Sequence, residues 1–157
     1  MNGPSRREAA DFGIRLSRIV RRMRQAIYAE LRALGLSEGT WRPLAYVGFL
    51  GDGVRQKDLA ATLGIEGPSL VRQLDDLERR GLIERRADEA DRRGRCIHLT
   101  PPGRDLQRRV VRITAAVQAR LLAGIDPADL DACNRVFAGM EAAMDDPAGL
   151  RPGEPTP

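Results

Sequence analysis

Residues 53–104 read GVRQKDLAATLGIEGPSLVRQLDDLERRGLIERRADEADRRGRCIHLTPPGR, and their hydrophobic period changes partway along. Leu59, Ala60 and Leu63 fall on one side of a short helix over about Arg55–Leu63. Gly64 ends it, where a tight corner between two helices wants a residue free to take positive φ. Pro68 opens a second helix through about Arg80, a favoured place for proline. Leu70, Leu74 and Leu77 form its inward stripe, Val71 flanks it, and Gly81 is its stop. Beyond Gly81 the spacing becomes that of strands. Leu82–Arg86 and Arg95–Leu99, joined by the charged loop Ala87–Gly94, read as an antiparallel ribbon with an exposed tip.

Outward from this core the chain is helical. Phe12, Leu16, Ile19, Val20, Met23, Ile27, Leu31 and Leu34 recur at spacings of three and four, which predicts one long helix over about Glu8–Ala33, stopped by Gly35. Ser37 caps the next helix, whose inward residues are Trp41, Leu44, Ala45 and Leu50; Pro43 is tolerated there only within the first turn. Gly51-Asp52-Gly53 is a turn. Downstream, Thr100 caps a helix opening at Pro101-Pro102 and carrying Leu106, Val110, Ile113, Val117 and Leu121. Gly124 breaks it, and Asp126-Pro127 starts a last helix with Leu130, Cys133, Val136, Phe137 and Met140. The Pro/Gly-rich segment 145–157 reads as a disordered tail. The expected fold is therefore mainly α with a small β-wing. A winged helix-turn-helix over 37–100 is flanked by long terminal helices, 8–35 and 101–144, with more apolar stripe than one small domain covers. A two-fold dimer would cover it.

Composition narrows the function classes. The chain has 157 residues, 42% hydrophobic and 31% charged, with no uncharged run long enough for a spanning helix. Lys+Arg number 26 against 22 Asp+Glu, and Lys57 is the only lysine, so arginine carries nearly all the positive charge. Arginine is the side chain best shaped for phosphate and base edges, though a GC-rich coding sequence gives the same skew. One histidine, His98, and two distant cysteines, Cys96 and Cys133, assemble neither a metal site nor a catalytic triad. The expectation is no enzyme, no cofactor and no metal. Unpaired cysteines and an amino terminus broken by charges place the protein in the cytoplasm, away from membranes.

The 53–104 stretch resembles the winged-helix core of the MarR family of bacterial regulators, and IEGPSLVRQLDDLERRGLI (65–83) resembles its SlyA-like branch. Asp91, a spacer, Arg93 and then Leu99-Thr100 follow the family's wing pattern, and LGLSEGTWRPLAYV (34–47) resembles its second helix. Arg55 departs from it, standing where many relatives carry a Thr or Ser cap. The resemblance implies a homodimeric transcription regulator, usually a repressor, acting on a pseudo-palindromic operator in double-stranded DNA and released by small aromatic acids or thiol oxidation.

On that fold, Pro68, Ser69, Arg72 and Gln73 lie at the end of the helix that would enter a major groove, where Arg72 can grip guanine O6 and N7. In the wing, the resemblance makes Arg93 the minor-groove residue, with Asp91 holding it or the loop in place and Arg92 and Arg95 contacting phosphate. Gln56 and Lys57 stand at a helix start where amides and cations hold phosphate, and where a plain surface terminus is equally expected. One of Arg85 and Arg86 points outward by alternation. Trp41, Tyr46 and Arg15 are candidates to line a cavity for a small-molecule effector, although a lone tryptophan on an apolar helix face is ordinarily core. Cys96 and Cys133 are the candidates for a thiol sensor. A helical interaction module without DNA binding is the remaining alternative.

Overall fold

A computed structural model describes residues 4–88 and 94–146, which divide into two compact units on either side of Ala119 and Arg120. The first unit begins with α1 (Arg6–Leu31), which starts two residues before the sequence-based boundary because Ser5 and Glu8 form a capping box. The Ser5 hydroxyl accepts from the Glu8 amide, and the Glu8 carboxylate accepts from the Ser5 amide. The Ser5 hydroxyl, which also donates to that carboxylate at 2.7 Å, and then the Ser5 amide hold the Glu8 carboxyl below the usual range. A 3-10 turn, Arg32–Leu34, leads to Gly35 at φ +67°, the left-handed stop its type allows.

Helix α2 (Glu38–Leu50) opens on a second box, in which Ser37 and Thr40 each accept from the other's backbone amide. Pro43 is the sixth residue of this helix, beyond the first turn to which its tolerance was assigned. Having no N–H, it leaves the Gly39 carbonyl without its usual helical donor, and its ring is fully buried among the core side chains. Packing therefore overrides the local penalty.

The strand β1 (Val54–Arg55) is absent from the sequence reading, which began a helix at Arg55. Two residues are too few to show an alternating pattern; pairing with a strand over forty residues later makes them a strand. Helix α3 (Gln56–Leu63) follows directly and ends at Gly64, φ +62°. Helix α4 (Gly67–Arg79) has Pro68 in its first turn. Strands β2 (Ile83–Ala87) and β3 (Arg95–Leu99) complete an antiparallel sheet of order β1-β3-β2, with Val54 opposite Ile97 and Ile83 opposite Leu99. Leu82 falls outside β2 because its amide donates to the Leu77 carbonyl to close the turn after α4, whereas Ala87 pairs with Arg95 and belongs to the strand.

The core lies between these elements. Leu44 and Val47 of α2, Leu59 of α3, Leu70, Leu74 and Leu77 of α4, and Ile83, Ile97 and Leu99 of the sheet are all buried. Ile27 and Leu31 seat the end of α1 on this core, and Val110 and Val117 seat α5 (Pro101–Leu122). The start of α5 is fixed by Thr100, whose hydroxyl donates to the Gly81 carbonyl at 2.6 Å and accepts from the Gly103 amide at 3.1 Å. Gly103 permits the contact: a Cβ there would lie 1.8 Å from the Leu82 carbonyl oxygen.

The amphipathic stripes run past the core. Toward the start of α1, Phe12 and Ile19 are exposed. The expected inward stripe of α5 is buried only in part, since Leu106 and Ile113 are half-buried and Leu121 is exposed. In the second unit, Asp126 accepts from the Ala128 amide to cap α6 (Pro127–Asp145), and Val136, Phe137 and Met144 lie exposed along that helix.

Candidate nucleic-acid interface

The first two turns of α4 expose Pro68, Ser69 and Arg72 together, because Leu70, Leu74 and Leu77 take the buried face. Residues three and four apart share a helix face, so the Ser69 hydroxyl and the Arg72 guanidinium stand side by side. Arg72 makes no ion pair among the described residues. Gln73 departs from this group. It is half-buried against α2, so close that a Cβ at Gly39 would lie 3.3 Å from its Nε2.

Further along α4 the acids are neutralised locally. Arg85 on β2 donates through Nε to Glu78 at 3.0 Å and through Nη2 to Asp75 at 2.5 Å. The Arg85 amide also donates to Glu78. These bonds hold the Glu78 carboxyl below its ordinary value and raise the Arg85 guanidinium above its own. Asp76 pairs with Arg79 at 3.0 Å and Arg80 at 3.7 Å. No free carboxylate within α4 opposes an anion at its N-terminal end. Of the two β2 arginines, Arg86 is the outward one: its side chain is 60% exposed, against 20% for Arg85, and it pairs with Glu84.

A second cluster forms where α3 meets the base of the wing. Gln56, Lys57 and Arg95 line one surface hollow of about 350 Å³, with Arg55, Ala60, Gly67, Asp88 and Gly94. Arg55 gives its helix no side-chain cap; instead its Nε lies 2.6 Å from the buried Asp88 carboxylate, fastening the start of α3 to the end of β2. Sequence reading noted Arg55 only as a departure from the Ser/Thr cap and gave Asp88 no role; that missing cap was the signal that the Arg55 side chain had another partner. Asp91, Arg92 and Arg93 lie outside the described residues.

His98 sits between Asp52, 3.6 Å from its Nδ1, and Gly53, and so joins the α2–β1 turn to β3. The same Asp52 carboxylate accepts from the Leu99 amide at 2.9 Å. Cys96 is half-buried and Cys133 exposed, both as free thiols.

The effector candidates divide. Trp41 and Tyr46 line a groove of about 510 Å³ between α1, α2 and α5, with Val20, Met23, Ile27 and Phe49 among its apolar walls. Trp41 is 5% exposed, and its indole N–H has no hydrogen-bond acceptor among the described residues. It is both core and cavity wall. Arg15 is exposed on α1 and does not line this groove; Arg24 and Arg42 do, and neither was singled out from sequence. No helix among the described residues is long and apolar enough to cross a membrane.

The family model for the MarR family matches residues 34–94. The solved transcriptional regulator PA3341 shares 36% identity over 85% of this chain and 97% of its own, with a TM-score of 0.79. A MarR-family transcriptional regulator from Silicibacter pomeroyi shares 30% identity over 88% of this chain and 89% of its own, with a TM-score of 0.71. CouR from Rhodococcus jostii RHA1, solved with p-coumaroyl-CoA, shares 29% identity over 87% of this chain and 95% of its own, with a TM-score of 0.74. With the family model matching residues 34–94 and a MarR-family regulator sharing 30% identity over 88% of this chain, the protein belongs to the MarR family of transcriptional regulators.

Proposed function

We propose that this chain is a cytoplasmic, homodimeric, sequence-specific DNA-binding repressor, relieved by a small aromatic or phenolic ligand. The observation that carries the reading is the first two turns of α4, where Arg72 and Ser69 are exposed with no competing partner among the described residues while the acids of α4 are tied to arginines. Arg72 offers two parallel donors to a guanine edge, and Ser69 offers a hydroxyl to phosphate or base. Gln56, Lys57 and Arg95 supply backbone contacts from the hollow beside α4, and the wing residues Arg92 and Arg93 extend the contact, with Asp91 supporting them. Gln73 supports the helix from its inner side. In this reading residues 37–100 read DNA, while 8–35 and 101–144 hold two copies together and carry exposed apolar side chains suited to that task. The groove beside Trp41 and Tyr46 takes the ligand.

The test is selection of bound fragments from the source genome's promoters, followed by footprinting at two salt concentrations with and without salicylate. Two protected half-sites about one helical turn, ~34 Å, apart are expected. Affinity should fall steeply with salt because phosphate contacts release counterions, and the footprint should weaken with salicylate. An unenriched pool with no salt slope removes the DNA-binding reading.

A further inference from the structure

Strand β1 is two residues long and meets β3 only at Ile97 and Cys96. From Arg95 outward the wing is therefore a two-stranded ribbon. Its neck consists of the Ala87–Arg95 pair and the Asp88 amide, which donates to the Gly94 carbonyl at 3.2 Å. Such a ribbon has little stability of its own. Its direction depends on what grips it at the neck.

The grip there is a side chain. Because β1 and β2 lie on opposite sides of β3, the 2.6 Å contact from Arg55 Nε to the Asp88 carboxylate passes across the middle strand. Arg55 is the last residue of β1, and Gln56 directly after it begins α3, whose Leu59 and Leu63 are buried in the core. One end of the contact is thus fixed to the helix-turn-helix and the other to the wing neck.

The Asp88 side chain is 7% exposed and the Arg55 side chain 40%. A carboxylate that deep needs a cation beside it, whereas a half-exposed guanidinium can return to water. Arg55 gives α3 no side-chain cap, although a Ser or Thr in its place would accept from an amide of the first turn. Among the described residues lining the hollow that holds Lys57 and Arg95, Asp88 is the one acid. By charge alone it opposes a polyanion there.

We infer that Arg55 and Asp88 are a positioning pair for DNA binding: they hold the wing at the angle to the helix-turn-helix at which Arg95 reaches the backbone of the half-site that α4 reads. The inference rests on the DNA-binding reading above. Neither residue touches DNA in it; both act through Arg95, which is exposed on the first rung of the ribbon. Without the pair, each encounter with the operator must order the wing before Arg95 contributes.

The test uses the full chain and fluorescence anisotropy on the selected operator. For Asp88→Asn, charge and positioning predict opposite signs. Removing an acid beside DNA raises affinity if charge decides; loss of the pair lowers it by about tenfold, the scale of one charge-assisted contact. In Arg55→Gln/Asp88→Asn, charge alone restores affinity, whereas the positioning pair gives no more than the loss seen with Asp88→Asn. Arg95→Ala should abolish the effect of Asp88→Asn, and hydrogen exchange across residues 86–88 should quicken while that of α4 stays unchanged. Arg55→Thr, which supplies a cap, should keep the melting temperature and still lose affinity, with Arg55→Lys intermediate. If Asp88→Asn does not fold, Arg55→Thr with and without Arg95→Ala decides the same point. Unchanged or higher affinity in Asp88→Asn, or losses that add to that of Arg95→Ala, overturn the positioning pair and leave DNA binding standing. Absence of salt-dependent binding by the wild type overturns the DNA-binding reading, and the pair's role with it.

Discussion

At the scale of single residues, Arg72 and Gly103 show how differently two positions can matter. Arg72 is exposed and makes no ion pair among the described residues, so truncation removes little from the folded state. Arg72→Ala should leave the melting temperature unchanged and weaken binding to the selected operator by about 1–3 kcal/mol, the worth of one bidentate base contact. Fluorescence anisotropy on operator and on a variant with the contacted guanine replaced checks this: loss confined to the intact operator marks base reading. Gly103 touches no proposed ligand, yet a Cβ there meets the Leu82 carbonyl at 1.8 Å, a backbone atom that cannot turn aside. Gly103→Ala should cost about 3 kcal/mol. On a chain of this size that is a fall in melting temperature of roughly 6–12 °C. An unshifted melt would mean that α5 can separate from the Leu82 turn more readily than this packing allows. Arg72 was legible in the sequence from its place in the amphipathic pattern. Gly103 was not, because its neighbour is a carbonyl 21 residues away in the chain.

At the scale of elements, a charged clamp ties α4 to β2. Glu78 accepts both the Arg85 amide and its guanidinium, and Asp75 takes the guanidinium's other side. Because Arg85 lowers the folded-state value of Glu78, its stabilising contribution is complete above the unfolded carboxylate value, about 4.3, and is lost as pH falls through the folded value. Denaturant melts between neutral and strongly acidic pH should therefore show a loss of stability below about pH 4.3 that Glu78→Gln reduces. Equal acid sensitivity in both proteins would remove Glu78 as its source. Secondary structure was legible where it is locally encoded. The capping residue Ser37, the glycine stops at Gly35, Gly64 and Gly81, and the leucine stripe of α4 all act within a few residues. Strand β1 was not, since its partner Ile97 is remote. Nor was the position of Pro43, because burial of its ring outweighs one missing helical hydrogen bond.

At the scale of the whole molecule, apolar side chains that the single chain leaves in water carry the expectation of a dimer. Val136 and Phe137 on α6, and Phe12 and Ile19 on α1, belong to stripes that the 3.6-residue period places on one face of each helix. Phe137→Asp should give a monomer in sedimentation analysis and lower operator affinity, since two half-sites would no longer be engaged together. A dimer that persists with unaltered DNA binding would exclude this face of α6. The order of the helices, the two-stranded ribbon after α4 and the exposed arginine of α4 were determined by the sequence alone, because periodicity, caps and glycine stops are short-range physics. The tertiary structure alone decided which charges are spent inside the fold. It ties Arg85 to Glu78 and Asp75, and Arg55 to Asp88, turns Gln73 inward, and sets Arg24 and Arg42 together at the helix-turn-helix corner. A charged side chain's role depends on which remote groups share its low-dielectric surroundings, and no local pattern of residues records that.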